Sequence, residues 1–165
     1  TMAYQKLQVG LAIPVVPNNS VDIPNAAGAI FSGTVASVST NTITVTGALF
    51  LSMSLQNGMA VQNDAGTALT TIVSVDSDTE ITLASATGFA SPATFKIFTD
   101  ENLGCVLYVG GGAVGTPTVA ADIAIVTSSG SEVILKRVLP GSFIPVQVKR
   151  VKSTGTTATD ILAFW

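Results

Sequence analysis

The sequence predicts an all-β protein, and three observations support that prediction. Apolar residues alternate with Ser and Thr over short runs, β-branched residues are abundant, and helical periodicity is almost absent. Gly, Pro, Asn and Asp interrupt these runs about every 8–12 residues, as between short antiparallel strands. We expect a discontinuous base domain, a jelly-roll-like β-sandwich formed by residues 1–30 and 100–165. A small β-barrel or sandwich module is expected as an insertion at residues 31–99.

The first element is a proline-containing segment. Residues 7–24 include Pro14, Pro17 and Pro24. Proline lacks the N–H that a central strand donates to its neighbour. We therefore expect an edge strand or an extended arm that runs over the surface of its own domain or of a neighbouring one.

The inserted stretch repeats one pattern. "VASVSTNTITV" at 35–45 aligns with "TIVSVDSDTEITL" at 71–83, and each copy predicts a β-hairpin with a polar turn. Two further turn signals and a final strand occur in the same stretch, at Asn57-Gly58, Asp64-Ala65-Gly66 and 93–100. Five or six short strands in about 70 residues predict a small barrel or sandwich.

The last block predicts five strands, at 104–109, 122–127, 132–138, 143–151 and 158–164. The glycine-rich stretch 108–122 predicts a flexible loop, and Pro140-Gly141 predicts a type II turn. The final strand is expected to bury Ile161, Ala163 and Trp165 on one side.

The strand at 143–151 changes phase along its length. Val146 and Val148 are expected on one face, with Gln147 and Lys149 on the other. Val151 then falls out of step by one residue, so we expect a β-bulge at Lys149-Arg150.

The chain carries unusually little charge, and its cations are gathered near its end. Charged residues are 10% of the sequence, against roughly 25% in an average soluble domain. Residues 131–165 hold five of the seven cations and have a net charge of +3, whereas residues 1–130 have −6. Neutral polar residues help to keep such a chain from sticking, but we favour burial of apolar surface in a permanent assembly.

Composition argues against most catalytic chemistry. The chain has no histidine, which removes Ser-His-Asp and Cys-His nucleophiles and the commonest transition-metal ligand. Its single cysteine, Cys105, lies in an apolar run and is expected to be an inert buried thiol rather than a reactive one. Carboxylates or lysines could still support an enzyme, but we expect no catalytic residue, no cofactor and no metal.

Three short stretches have functional and structural interpretations that we weigh together. "DSDTE" at 76–80 spaces acids as a calcium loop does, but it lacks the glycine and the distant Glu of an EF-hand, which favours a solvated turn. "GGGAVG" at 110–115 lacks the Gly-Lys-Ser/Thr of a phosphate loop, which favours a mobile loop. The hydroxyls of 154–159 have no base to activate them, which favours a turn.

The basic segment is the remaining candidate site. Lys149, Arg150 and Lys152 could form a solvated face, contact an acidic protein surface or contact nucleic acid. Because the whole chain is acidic and poor in aromatics, we do not expect nucleic acid as a partner. No stretch approaches the roughly 20 uninterrupted apolar residues of a membrane helix, so we expect no membrane partner either.

The block at 106–165 resembles small virion proteins of tailed phages and the head-spike base proteins of gene transfer agents. The matching positions are Tyr108-Val109-Gly110, Gly130, Val133, Pro140-Gly141, Ile144-Pro145-Val146, Val148, Arg150-Val151, Thr154-Gly155-Thr156-Thr157-Ala158, Ile161 and Trp165. "VVPNNSVDIP" at 15–24 is similar to the N-terminal part of the same family. Residues 31–99 then resemble the small β-modules that many phage structural proteins carry, although spike-base relatives usually lack such an insertion.

The resemblance implies a non-enzymatic virion protein on the particle surface, most simply a head decoration, cement or spike-base protein that forms a symmetric oligomer, with a trimer favoured. Its partner would be the major capsid protein or a spike or fibre protein. A tail-side fibre, baseplate or adaptor component is the main alternative, and a sugar-binding module is a minor one. The expected partner-binding residues are Pro14, Val15, Val16, Pro17, Lys149, Arg150 and Lys152.

Overall fold

The computed structural model of the chain describes residues 10–99, 101–116 and 118–165. These residues form thirteen β-strands and two short 3₁₀ turns, Ala26–Gly28 and Phe50–Met53. All strand pairs are antiparallel, so the predicted all-β class is confirmed. Among the described residues, no helix is long and apolar enough to cross a membrane.

The chain divides into two compact units. Unit 1 comprises Thr1–Asn19 and Asn102–Trp165, and unit 2 comprises Ser20–Glu101. The first boundary therefore differs from the predicted one. Residue 30 lies within a strand of unit 2, Ala29–Thr34, because that strand pairs with Thr94–Phe98 of the same unit.

Unit 1 contains a six-stranded sheet in the order β1-β13-β9-β12-β10-β11. Its strands are β1 Ala12–Pro14, β9 Cys105–Ala113, β10 Ala121–Thr127, β11 Glu132–Val138, β12 Ser142–Val151 and β13 Ala158–Phe164. The strand β1, which contains Pro14, lies at one edge of the sheet, where proline is tolerated. Alternate residues of the central strands are buried and form the core of the unit, among them Leu107, Val109, Ile123, Ile125, Val148, Ile161 and Ala163.

The glycine-rich stretch departs from its prediction. Gly110, Gly111 and Gly112 belong to β9, so the expected flexible loop at 108–122 begins as a strand. A β-carbon at Gly110 would lie 2.7 Å from the backbone oxygen of Asp160, and one at Gly111 would overlap Thr159 Oγ1. Glycine is needed at both positions because β13 approaches β9 closely. The pairing of these two strands is irregular between Ala158 and Thr159, and the next residue, Asp160, has a φ of +52°.

Strand β12 confirms the predicted bulge and corrects one predicted face. Val151 and Arg150 pair with consecutive residues of β10, but the next residue of β10 pairs with Val148, so Lys149 is the extra residue. Val148 and Val151 are both buried, as predicted, whereas Val146 is 39% exposed. The pairing of β12 with β9 shifts between residues 144 and 148, a stretch that contains proline, and this shift explains why Val146 does not follow Val148.

Unit 2 contains a seven-stranded sheet in the order β2-β8-β5-β6-β7-β4-β3. Its strands are β2 Ala29–Thr34, β3 Ser37–Ser39, β4 Thr42–Thr44, β5 Ala60–Asn63, β6 Leu69–Val75, β7 Glu80–Leu83 and β8 Thr94–Phe98. Both predicted hairpins are present, as β3-β4 and β6-β7. The N–H of Val35 bonds to Ala93 O and that of Ala36 to Thr44 O. One bent segment thus provides both end strands, and the sheet closes into a small barrel.

The barrel has its own core. Fourteen buried apolar residues form one cluster, and the largest are Phe50, Phe89 and Phe95. The rings of Phe89 and Phe95 meet edge to face with centroids 6.3 Å apart. The buried amide of Asn63 bonds to the backbone at Thr67, Ala68 and Gly88, which ties a turn and a loop to the barrel.

Candidate interaction surface

The predicted arm and the predicted basic segment lie side by side in unit 1. Residues 14–19 run along the last two strands: the N–H of Val15 bonds to Ile161 O, and that of Asn18 bonds to Val151 O, both at 2.8 Å. Asn19 then receives the N–H of Thr154 on its side-chain oxygen and donates its amide to Thr154 Oγ1. We name the surface formed by residues 14–19 and 149–154 the docking strip.

Two cations of the docking strip, Arg150 and Lys152, make hydrogen bonds or ion pairs within unit 1. Arg150 Nη1 donates to Asn19 O at 3.1 Å, which attaches the basic segment to the arm. Lys152 Nζ lies 2.7 Å from Glu132 Oε2 on β11, and this bond holds the pKa of Glu132 below its usual value. Lys149 occupies the bulge of β12 and is partly exposed. The bulge interrupts the alternation of the strand, so Lys149 stays partly exposed although Val148 and Val151 are both buried.

The predicted partner-binding residues differ in how accessible they are. Val15 is only 6% exposed, so its side chain belongs to the unit's own core. Pro14, Val16 and Pro17 are partly exposed, as are the three cations. The surface that a partner could reach therefore combines prolines and an apolar side chain with positive charge.

Charge is divided between the two units. Unit 1 contains six Lys and Arg residues against three Asp and Glu residues, a net charge of +3. Unit 2 contains one Lys against seven Asp and Glu residues, a net charge of −6. The docking strip thus lies on the basic unit of the chain.

The threonine-rich run supports the fold of unit 1. Thr156 Oγ1 accepts the N–H of Ala124 at 2.9 Å, and Thr157 Oγ1 accepts the N–H of Asp122 at 3.0 Å. These hydroxyls continue the hydrogen bonding of β10 beyond the residues where β12 pairs with it. Gly155 has a φ of +90°, and a β-carbon there would lie 3.3 Å from the β-carbon of Ala124, so the run is a backbone-bonded turn, as predicted.

The acidic stretch at 76–80 also serves its own fold. Asp76 accepts hydrogen bonds from Ser74 Oγ at 2.7 Å and from Thr82 Oγ1 at 2.6 Å. Asp78 Oδ1 accepts the N–H of Leu51 at 3.3 Å. In the described part of the chain, no three acidic or cysteine side chains are grouped closely enough to hold a metal ion.

The cysteine is buried on β9, opposite Val148 of β12. Cys105 is 1% exposed, its thiol donates to Val148 O at 3.1 Å, and Asn102 Nδ2 lies 3.7 Å from its sulfur. Burial raises the pKa of this thiol to about 12. The thiol is therefore protonated at neutral pH, as expected of a buried cysteine.

Sequence reasoning missed a cluster of aromatic side chains on unit 1. Tyr108, Phe143 and Phe164 come from three neighbouring strands, with ring centroids 5.1–6.5 Å apart. Phe143 is 57% exposed. The available signal was that "VLYV" and "ILAF" are apolar at consecutive positions, which is typical of a sheet that is covered on both faces.

No protein-family model, curated protein or solved structure matches this chain.

Proposed function

We propose that the chain is a virion structural protein of a tailed phage, a head decoration, cement or spike-base protein that binds the capsid surface as a symmetric oligomer. The observation that carries the proposal is the docking strip: a proline-containing arm and a basic strand, distant in sequence, lie together on the unit of net charge +3. A virion location on the particle surface follows from this proposal.

The mechanism is adhesion, and no bond is made or broken. Unit 1 docks on an acidic patch of the major capsid protein or of a spike or fibre protein, where complementary charge sets the register and speeds encounter. The prolines reduce the freedom of the arm before it binds, so less entropy is lost on docking. Unit 2 has a net charge of −6, so we expect unit 1 and not unit 2 to contact an acidic shell.

Co-sedimentation with purified heads and, separately, with purified tails of the encoding phage tests the proposal. We expect binding to heads that weakens as salt rises, because exposed charges are screened. Lys149→Glu is expected to weaken binding about tenfold, since reversing a charge at an interface opposes docking. The matched control is Lys96→Glu on unit 2, which makes the same charge change beside Asp64 and is expected to leave binding unchanged.

Two results would count against the proposal. Binding to tails in place of heads would favour the alternative function, a tail-side fibre, baseplate or adaptor component. Binding to neither particle, or binding that Lys149→Glu leaves intact, would contradict docking through unit 1.

A further inference from the structure

We propose that copies of this chain associate in pairs through the free edge of β11, where residues 132–136 of two copies pair as antiparallel strands across a two-fold axis. This inference rests on the proposed function, since it locates a contact that the symmetric oligomer requires. We call residues 132–136 the β11 edge. Their sequence is Glu132-Val133-Ile134-Leu135-Lys136.

The backbone of the β11 edge has free hydrogen-bonding groups on its outer side. Strand β11 is the last strand of the sheet, and Ala124 of β10 lies opposite Ile134. Both the N–H and the oxygen of Ala124 bond to residues 152–156, on the far side of β10 from β11. The pair Ala124 and Ile134 therefore exchanges no hydrogen bonds, so the N–H and C=O of Ile134 point outward. Those of Glu132 and Lys136 point the same way by alternation, and no backbone group of the described residues bonds to them.

The β11 edge is also apolar and exposed on both faces. Ile134 is 50% exposed on one face, and Val133 is 44% exposed on the other. The bulge in the pairing of β10 with β11 lies between Leu135 and Val138, so it leaves residues 132–135 regular. Only another extended backbone matches a row of outward N–H and C=O groups, so the chemistry of the edge calls for an added strand.

The charges at the two ends of the β11 edge identify the added strand as a second copy. With Ile134 on the two-fold axis, the outward groups of one copy meet those of the other, and Glu132 lies opposite Lys136 of the partner copy. This pair of opposite charges occurs twice in the dimer. A parallel copy in the same register would place Glu132 beside Glu132 and Lys136 beside Lys136, which is unfavourable.

Both charged side chains remain accessible although each has a partner within its own copy. Glu132 lies 2.7 Å from the ammonium of Lys152, and Lys136 lies 2.7 Å from a carboxylate oxygen of Asp122. The side chains of Glu132 and Lys136 are nevertheless 60% and 65% exposed. Pairing of two copies joins these ion pairs into a row of four charges of alternating sign. Such networks stabilise a contact more than isolated surface pairs do.

The contact is small, which sets the strength to expect. Five residues of β-strand span about 17 Å. The three outward residues of each copy form pairs that exchange two hydrogen bonds each, about six in total. A contact of this size is below that of a standard stable interface, so we expect a dimer that forms as concentration rises.

Light scattering over a dilution series tests the inference with Glu132→Lys and Lys136→Glu. We expect the mass of the wild type to approach twice 16.7 kDa at high concentration. Each single variant should self-associate about tenfold more weakly, because like charges then face each other at both ends of the edge. An equimolar mixture of the two variants should regain wild-type association, because opposite charges again face each other at both ends.

Rescue by mixing separates a lost contact from a damaged fold. The control is Lys96→Glu on unit 2, which makes the same charge change and is expected to leave association unchanged. A wild type that stays monomeric or forms trimers overturns the inference. A mixture that associates no better than the single variants overturns it as well.

A thiol variant tests the register directly. Opposite residues that exchange hydrogen bonds have α-carbons about 5.5 Å apart, which suits a disulfide. Ile134→Cys is therefore expected to form disulfide-linked dimers under mild oxidation, in a chain whose own Cys105 is buried. The matched control is Ile30→Cys, because Ile30 of unit 2 is 39% exposed. Absence of dimers for Ile134→Cys, or an equal yield from the control, overturns the inference.

The outcome is separable from that of the proposed function. A dimer with the predicted rescue that binds neither heads nor tails would keep this interface and end the virion proposal. A monomer that binds heads would do the reverse. A monomer whose binding to heads is lost in Ile134→Pro would assign the β11 edge to a strand of the shell and overturn self-association, because proline removes the outward N–H.

Discussion

Replacing Thr156 by valine tests the role of the threonine-rich run in unit 1. Valine keeps the shape of the side chain but removes the hydroxyl that accepts the N–H of Ala124 at 2.9 Å. Ala124 is 3% exposed, so water cannot readily replace that acceptor. A buried donor left without a partner costs about 1–3 kcal/mol of unfolding free energy. Thr157→Val removes a similar bond to the more exposed Asp122, so we expect a loss below about 1 kcal/mol.

Urea unfolding followed by tryptophan fluorescence measures this difference, because Trp165, the single tryptophan, lies in unit 1. A loss of about 2 kcal/mol lowers the midpoint by about 1 M urea. The control is Thr82→Val, which breaks the hydroxyl bonds to Thr42 and Asp76 in unit 2 and is expected to leave the Trp165 transition in place. A neutral Thr156→Val, or one milder than Thr157→Val, would refute the reasoning.

Three further predictions concern unit 1. Because burial raises the pKa of Cys105 to about 12, its thiol should not react with Ellman's reagent at pH 8 in the native state but should react in urea; rapid native reaction would contradict its burial. The pKa of Asp122 is lowered below its ordinary 3.8, mainly by the hydrogen bond from Lys136 and also by a backbone N–H. Its contribution to stability is therefore present above pH 3.8 and lost as pH falls through the folded-state pKa, so unfolding midpoints of wild type and Asp122→Asn should converge in acid. Finally, Gly110→Ala should lower the thermal midpoint of unit 1 because the new carbon meets the backbone of β13 at 2.7 Å, whereas Gly130→Ala has open space around it but strained backbone, so a smaller loss is expected by calorimetry.

Strand positions were predictable because two local signals agree along most of the chain. In the last block, alternation of apolar residues and the turn residues between them placed strands such as Glu132–Val138 and Ala158–Phe164 correctly. The bulge at Lys149 was predictable for the same reason, since only an extra residue lets Val148 and Val151 both face the core.

The wrong predictions concern residues whose structure depends on residues that are distant in the sequence. Glycines at 110–112 have the composition of a loop, but they lie in a strand, and the backbone of Asp160 on the neighbouring strand leaves no room for a β-carbon at Gly110. Val146 has the alternation of a buried residue, but the register shift between β12 and β9 exposes it. Neither effect can be seen in the local sequence.

The candidate site was predictable in part. The prolines and the cations predicted both halves of the docking strip. The hydrogen bonds of Asn19 with Arg150 and Thr154 were not predictable from the sequence. The aromatic cluster of unit 1 was missed because Tyr108 and Phe143 lie in separate strands and become neighbours only when those strands pair. Burial of Ile161 and Ala163 was correct, and Trp165 is only partly buried.

Electron cryomicroscopy of intact particles tests the central claim most directly. The account predicts density for this chain on the head surface, with unit 1, the basic unit, in contact with the shell. Particles whose heads lack this chain, or whose shell contacts it only through unit 2, would contradict the account.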